Sequence, residues 1–399
     1  MGKIVGVLVV AMVFWWSAAW AQPGPGPCVP GAPPCGTIKI GLNQPLTGAL
    51  STWGMHVRAG AEIARDWINA RGGVLGRPIE LIVEDNRSEG SAAAAAVERL
   101  VVDGNVVAMM GTLSSTLTLA MMAKLQEHGV PAVIETSTAT AITRIGNPWI
   151  FRIGATAEKE GEGFGSYFGA LAIKKADFLA TDTDFGNAIV NGYAEALKKH
   201  GLSVGTVAFL TRGASDAGPQ VSKIKRTNAD TIFVWADIRD AVQVLKQVRE
   251  QRLQRGIVLT GGTFSPEETI AQATRAADGV YQVVYFVPWF PEVAPDPKLV
   301  KAFVDEWRKR GFPFGRIADG SRGYDSTTVI AEAVRIAGSV ERKAVRDALW
   351  KVDITGLSSQ IKFEKEGPIG KESGHSTSRV FLVQIKDGRV VLPPFVSKP

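Results

Sequence analysis

The sequence predicts an α/β protein of two doubly wound, Rossmann-like lobes with a cleft between them. Three observations point there. From residue 37 onward, strand-like and helix-like segments alternate, the pattern of βαβ units and parallel sheets. The alternation restarts near residue 177, giving two sets rather than one. The chain has 399 residues, 45% of them hydrophobic, more than one core of about 250–300 residues usually holds.

In the first set, strands are expected over 37–42, 78–84, 106–110 and 131–134. Helices are expected over 57–70, 92–102 and 115–128. The first helix shows an apolar stripe at Ala61, Ala64, Trp67 and Ile68. It closes at Gly72-Gly73, where a left-handed residue suits a helix end. In the second set, strands are expected over 177–181, 203–209, 231–235 and 257–260, with helices over 185–200, 217–227 and 239–252. A further strand over 280–287, amphipathic helices over 298–310 and 324–337, and a hairpin around Asp387-Gly388 follow. These are too few strand–helix pairs for a third lobe. They complete the first two, so the chain crosses between lobes more than once. The implied division places a first lobe at 37–156 plus 286–358 and a second at 157–285 plus 359–399.

Residues 1–21 read as a cleaved signal peptide: Lys3, a short apolar run over 4–16, then Ala19 and Ala21 before the cut. The run is shorter than the roughly 20 residues of a spanning helix. Residues 22–36 form a flexible leader rich in Pro and Gly. It holds both cysteines, Cys28 and Cys35, which an oxidising compartment would allow to pair. A lipid attachment at Cys28 is disfavoured by the preceding Pro25-Gly26-Pro27. Net charge is +6, with Lys and Arg interleaved with Asp and Glu and no long basic run, so no nucleic-acid partner is expected.

In open parallel sheets, ligands sit beyond the carboxyl ends of strands. The loops at those positions are therefore the candidate site. In the first lobe they supply Ser114 and Ser115, then Thr136, Ser137 and Thr138. Hydroxyls and free N–H groups at a helix start cap the helix or hold a carboxylate. In the second lobe they supply Phe185, Asp237, Gly262 and Thr263. An aromatic and a carboxylate facing a neutral anion site suit a small zwitterion. Enzyme signatures are absent: the four histidines are dispersed, without metal-ligand spacing, and Ser222-Lys223-Ile224-Lys225 lacks the partner motifs of a serine enzyme. No P-loop or dinucleotide fingerprint is present, and no cofactor or metal is expected.

The chain resembles the leucine/isoleucine/valine-binding proteins of ATP-binding-cassette transporters, of the type I periplasmic binding fold. The resemblance covers roughly residues 37–392. It rests on Ile38-Lys39-Ile40-Gly41, Pro45-Leu46-Thr47-Gly48, Trp53-Gly54 and the run from Ile68 to Leu81, which contains Asn69-Ala70-Arg71-Gly72-Gly73. Asp85-Asn86, Phe151-Arg152, Asp184-Phe185-Gly186 and Tyr324-Asp325 also fit. It implies a ligand cleft between the lobes, with Trp53 beside the ligand side chain and Ser115 on a carboxylate. Ser137 and Thr138 would share the carboxylate and ammonium contacts. Phe185 falls where the family usually has a Tyr closing from the second lobe.

One departure matters. Amino-acid binders of this family place a second-lobe acid on the ligand ammonium, and Thr260-Gly261-Gly262-Thr263 holds none. Asp237 is the nearest substitute in sequence. Otherwise the ligand lacks an ammonium, as in relatives that take amides, urea or aromatic acids. The resemblance further implies a periplasmic protein that delivers solute to a membrane permease, or a sensor subunit of the same fold; a monomer is the default expectation.

Overall fold

The computed structural model describes residues 36–262 and 264–396. The signal peptide, Cys28, Cys35 and Thr263 lie outside them.

In the first lobe β1 (Ile38–Gln44), α1 (Ser51–Ala70), β2 (Ile79–Asp85), α2 (Gly90–Val102), β3 (Ala108–Met110), α3 (Ser115–His128), β4 (Ala132–Ile134), α4 (Ala141–Arg144) and β5 (Ile150–Arg152) follow one another. The chain then enters the second lobe with α5 (Ala157–Phe164), β6 (Lys175–Thr181), α6 (Asp184–Lys199), β7 (Ser203–Leu210), α7 (Gly218–Lys225), β8 (Thr231–Trp235), α8 (Ile238–Glu250), β9 (Gly256–Leu259), α9 (Pro266–Ala273) and β10 (Tyr281–Val284). It returns through α10 (Pro297–Lys309), α11 (Ile317–Ala337), α12 (Arg342–Leu349), β11 (Asp353–Thr355), β12 (Gln360–Glu366) and β13 (Ser373–Ser376). A third crossing leads to β14 (Phe381–Lys386) and β15 (Arg389–Val391).

The first sheet runs β11-β12-β13-β5-β4-β3-β1-β2 and the second β15-β14-β10-β9-β8-β6-β7. Each is parallel at its centre and antiparallel at its late-sequence edge. In the first sheet β1 lies between β2 and β3; in the second β6 lies between β7 and β8. Strand order reverses there, and a crevice opens at the carboxyl ends.

The chain after residue 359 corrects the expected division. β12 buries Ile361 and Phe363 against Phe151 and Val133 of the first core, and β13 pairs in parallel with β5. Only β14 and β15 join the second sheet. The strict in–out alternation of β12 marks a one-sided strand that a hydrophobic run would not reveal. Two helices also begin earlier than their apolar stripes suggest. α1 starts at Ser51 rather than 57, and α11 at Ile317 rather than 324. Their first turns interleave apolar with polar and glycine residues, Ser51-Thr52-Trp53-Gly54 in α1 and Asp319-Gly320-Ser321-Arg322 in α11, so no regular stripe marks them.

α11 is buried along most of its length and packs closely on α1. Gly60 and Gly323 make this approach possible: a Cβ on Gly60 would stand 1.8 Å from the Gly320 carbonyl oxygen, and one on Gly323 would stand 1.9 Å from that of Val57.

Further along α11, Asp325 is 6% exposed and accepts the Leu357 amide at 2.9 Å. Burial pushes its carboxyl up to about 7 from 3.8. The folded protein thus keeps a proton that the unfolded chain releases, so stability falls as pH rises from 3.8 to about 7. Asp325→Asn is expected to flatten that slope and to raise unfolding free energy at pH 8 by about 3–4 kcal/mol. Urea unfolding at pH 4.5 and pH 8 measures both; an unchanged slope contradicts the assignment.

Candidate ligand-binding cleft

The first-lobe wall is built from the ends of β1, β3 and β4. After β3, the chain turns into α3, whose N-cap Ser114 makes no side-chain hydrogen bond to the helix. The amides of its first turn have no intrahelical acceptors and offer donors to an anion. Ser115 Oγ accepts the Ala139 amide at 3.1 Å, tying the two first-lobe loops together. Ser137 is buried and occupied by the lobe itself: its hydroxyl donates to the Thr112 carbonyl at 2.7 Å and pairs with the Thr118 hydroxyl at 2.7 Å. Thr136 Oγ1 is buried with no partner among the described residues, and Thr138 is half-buried in the same loop.

The sequence reading passed over two residues of this wall. Gln44 ends β1 and Glu135 immediately follows β4. Both are essentially inaccessible, and Gln44 Nε2 donates to Glu135 Oε1 at 2.6 Å. Gln44 Oε1 and Glu135 Oε2 have no partner among the described residues. Burial pushes the Glu135 carboxyl up to about 7, while Gln44, the nearby backbone amides of Glu135 and Gly111 and the Arg322 charge act against the rise.

The second-lobe wall is aromatic. Phe185 opens α6, where the Thr183 hydroxyl accepts the Gly186 amide as an N-cap. Its ring meets Trp235, at the end of β8, edge-on with centroids 4.8 Å apart. Trp235 lies against Gly261, where a Cβ would approach within 2.2 Å of the indole. Gly262 has φ +52 and abuts the Tyr285 ring. The buried Glu160 of α5 braces this loop: its carboxylate accepts the Gly261 amide at 2.8 Å, the Tyr193 hydroxyl at 2.8 Å and the Tyr285 hydroxyl. Burial raises the Glu160 carboxyl, and the three donors oppose that rise.

Asp237 does not meet its expectation. It is exposed at the N-terminus of α8, and its carboxylate pairs with Arg212 at 2.9 Å. A solvated, already paired carboxylate has little to offer an ammonium. Its place just beyond the end of β8 gave the misleading signal in the sequence.

Between the walls runs a chain of charges from the start of α11. Arg322 lies over the Tyr285 ring, 5.8 Å from its centroid, and 3.7 Å from Asp319. Asp319 also lies 3.8 Å from Arg316. Burial raises the Asp319 carboxyl, while Arg322 and Arg316 draw it down. Arg316 pairs with Glu268 of α9, joining the lobes, and its guanidinium stands 5.2 Å above the Trp53 ring. Trp53 therefore sits at the cleft mouth beneath an arginine. Glu268 is held in turn by the capping box it forms with Ser265. The polar early turn that hid the start of α11 carries all three of Arg316, Asp319 and Arg322 at or near its first turns.

Two α/β lobes whose facing strand ends converge on a charged and aromatic cleft define a protein that encloses a small solute. The family described as periplasmic binding protein matches residues 37–389, and the chain belongs to that family. The resemblance to Leu/Ile/Val-binding proteins is borne out by individual relatives. An amino acid binding protein of Pseudomonas aeruginosa is 26% identical over 338 residues, covering 83% of this chain and 87% of that protein. A leucine-, isoleucine-, valine-, threonine- and alanine-binding protein of the same organism is 25% identical over 335 residues, 84% of this chain and 87% of its own length. Among solved structures, the branched-chain amino acid transporter substrate binding protein LivJ from Streptococcus pneumoniae, in complex with isoleucine, is similar with a TM-score of 0.74. It is 26% identical, over 89% of this chain and 97% of that one. A solute binding protein from R. palustris in complex with benzoate shares the fold, with a TM-score of 0.70 at 19% identity over 89% of this chain and 95% of that one. Among the described residues no helix is long and apolar enough to cross a membrane.

Proposed function

We propose that this chain is the extracytoplasmic solute-binding component of an ATP-binding-cassette importer. It captures a small carboxylate-bearing solute, foremost an apolar amino acid, by hinge closure and presents it to a membrane permease. The observation that carries this reading is the pairing of the uncapped amino end of α3 with the Phe185–Trp235 wall. The first offers donors to a carboxylate and the second an apolar surface to a side chain. Three crossings between the lobes form the hinge. Ligand contacts made only when both lobes engage shift the population toward the closed form, which the permease recognises. No covalent step is involved, and the secreted protein acts as a monomer in the periplasm.

A second reading, an aromatic carboxylate without an ammonium, is favoured by one observation: Gly261 and Gly262 bring no acid to the second-lobe wall.

Thermal unfolding of the chain from Gln22 onward against Leu, Ile, Val, Phe, polar amino acids, short amides, urea and benzoate tests both. A ligand at about 100 times its Kd adds roughly 2.7 kcal/mol of stability. The largest rise in Tm is expected with an apolar amino acid. A rise with benzoate alone selects the second reading, and no rise with any member contradicts solute capture from this panel.

A further inference from the structure

Three polar side-chain atoms at the ends of β1 and β4 lack partners among the described residues. These are Gln44 Oε1, Glu135 Oε2 and Thr136 Oγ1, all of them buried. Each such atom costs roughly 1–3 kcal/mol unless a partner arrives. Gln44 Oε1 can only accept, and Glu135 Oε2 accepts once its carboxyl is ionised, so an arriving cationic donor satisfies both. The cluster sits at the carboxyl ends of β1 and β4, beside the reversal of strand order between β1 and β3. That is the place in such a sheet where ligands dock.

The cluster is poised rather than collapsed. Gln44 Nε2 already donates to Glu135 Oε1 at 2.6 Å, which fixes that carboxyl and leaves its second oxygen without a partner among the described residues. Arg322, the cation whose field reaches Glu135, is engaged elsewhere, with Asp319 at 3.7 Å and the Tyr285 ring at 5.8 Å. The amino end of α3, which follows the neighbouring strand β3, supplies free backbone donors. Donors and acceptors are thus laid out side by side on one lobe, matching the two ends of a zwitterion. On the second lobe Glu267 Oε2 also lacks a partner among the described residues, but that carboxyl is tied through its other oxygen to the Trp289 indole at 2.5 Å. The second-lobe wall carries Gly261 and Gly262, Asp237 is paired with Arg212, and all three donors on Glu160 come from the protein.

We infer that Glu135, held by Gln44, receives the cationic nitrogen of the ligand, so that both charged ends of the solute are recognised by the first lobe. This rests on the solute-binding reading above and selects, within it, ligands that carry an ammonium. The second lobe then contributes apolar cover and the closing Arg316–Glu268 pair, without reading the ammonium.

The test is calorimetric titration of the chain from Gln22 onward with two matched pairs: L-leucine with 4-methylpentanoate, and L-phenylalanine with 3-phenylpropanoate. Within each pair only the ammonium differs. The wild type is expected to bind at least one amino acid about 10- to 100-fold more tightly than its des-amino partner, the range of a hydrogen bond to a charged group. Glu135→Gln is expected to erase that preference, since the amide no longer offers a charge to the ammonium. Glu135→Asp keeps the charge but withdraws it by one methylene, and should lose part of the preference. It serves in place of Glu135→Gln if that variant does not fold. Equal or tighter binding of the des-amino acids by the wild type overturns the inference and leaves solute capture standing. So does a preference that survives both substitutions. Binding of none of the four compounds overturns the proposed capture of apolar amino acids, and the inference with it.

Discussion

Replacing Gly60 with alanine is expected to destabilise the first lobe by about 3 kcal/mol or more, the upper end of what overpacking costs. The added Cβ would stand 1.8 Å from the Gly320 carbonyl oxygen. That oxygen belongs to a helix backbone and cannot rotate away, so α1 and α11 must separate. Gly323 repeats the contact one turn further along, 1.9 Å from the Val57 carbonyl. The effect reaches the cleft, because Asp319 and Arg322 ride on the same turns of α11. Gly60→Ala is therefore expected to weaken ligand binding as well as stability. Gly169→Ala is the control: nothing lies within 4 Å of its added Cβ, and its effect should be within about 0.5 kcal/mol. Urea unfolding of the two variants compares them directly. Equal midpoints would mean that the close helix approach does not set the stability of this lobe.

The second large effect concerns closure. Arg316→Ala is expected to raise the Kd of the bound solute about 5- to 100-fold, equivalent to about 1–3 kcal/mol. The Arg316 and Glu268 side chains are only 18% and 22% exposed, so the pair lies between a surface bridge, of about 0–1 kcal/mol, and a fully buried one. Its loss removes a contact made across the cleft. It shifts the hinge equilibrium rather than the first-lobe site, and the apparent affinity falls with the closed fraction. Glu268→Gln preserves the capping box on α9, since Gln also serves at that position. In a double-mutant cycle the two substitutions should be strongly non-additive. An unchanged Kd in Arg316→Ala, or additive losses, would show that the pair does not latch the lobes.

How much of this was legible in the sequence depends on the kind of signal each residue gives. The two sets of βαβ units were readable because their central strands, such as β8 with five buried residues in a row, are continuous apolar runs. β12 and β13 were assigned to the wrong lobe because lobe membership is decided by pairing. The parallel register of β13 with β5 joins positions more than 200 residues apart. At the cleft, the hydroxyl loops after β3 and β4 were found by their place at strand ends. That rule could not separate Ser137, whose hydroxyl is consumed by Thr112 and Thr118, from Thr136, whose hydroxyl is not. Asp237 looked available because its partner Arg212 lies in another loop. Glu135 stood inside a loop already singled out. Its importance comes from burial and from Gln44, 91 residues away, and neither leaves a local mark. Arg316, Asp319 and Arg322 were missed because the first turns of α11 interleave apolar with polar and glycine residues, so no regular stripe marks them.

The central claim is that a small solute is enclosed by closure of one lobe on the other. Small-angle X-ray scattering on the chain from Gln22 onward, alone and saturated with the solute giving the largest rise in Tm, tests it most directly. The account predicts a smaller radius of gyration and a narrower pair-distance distribution in the bound state, with Arg316→Ala needing more ligand to reach the same curve. Superimposable scattering with and without saturating ligand would contradict closure.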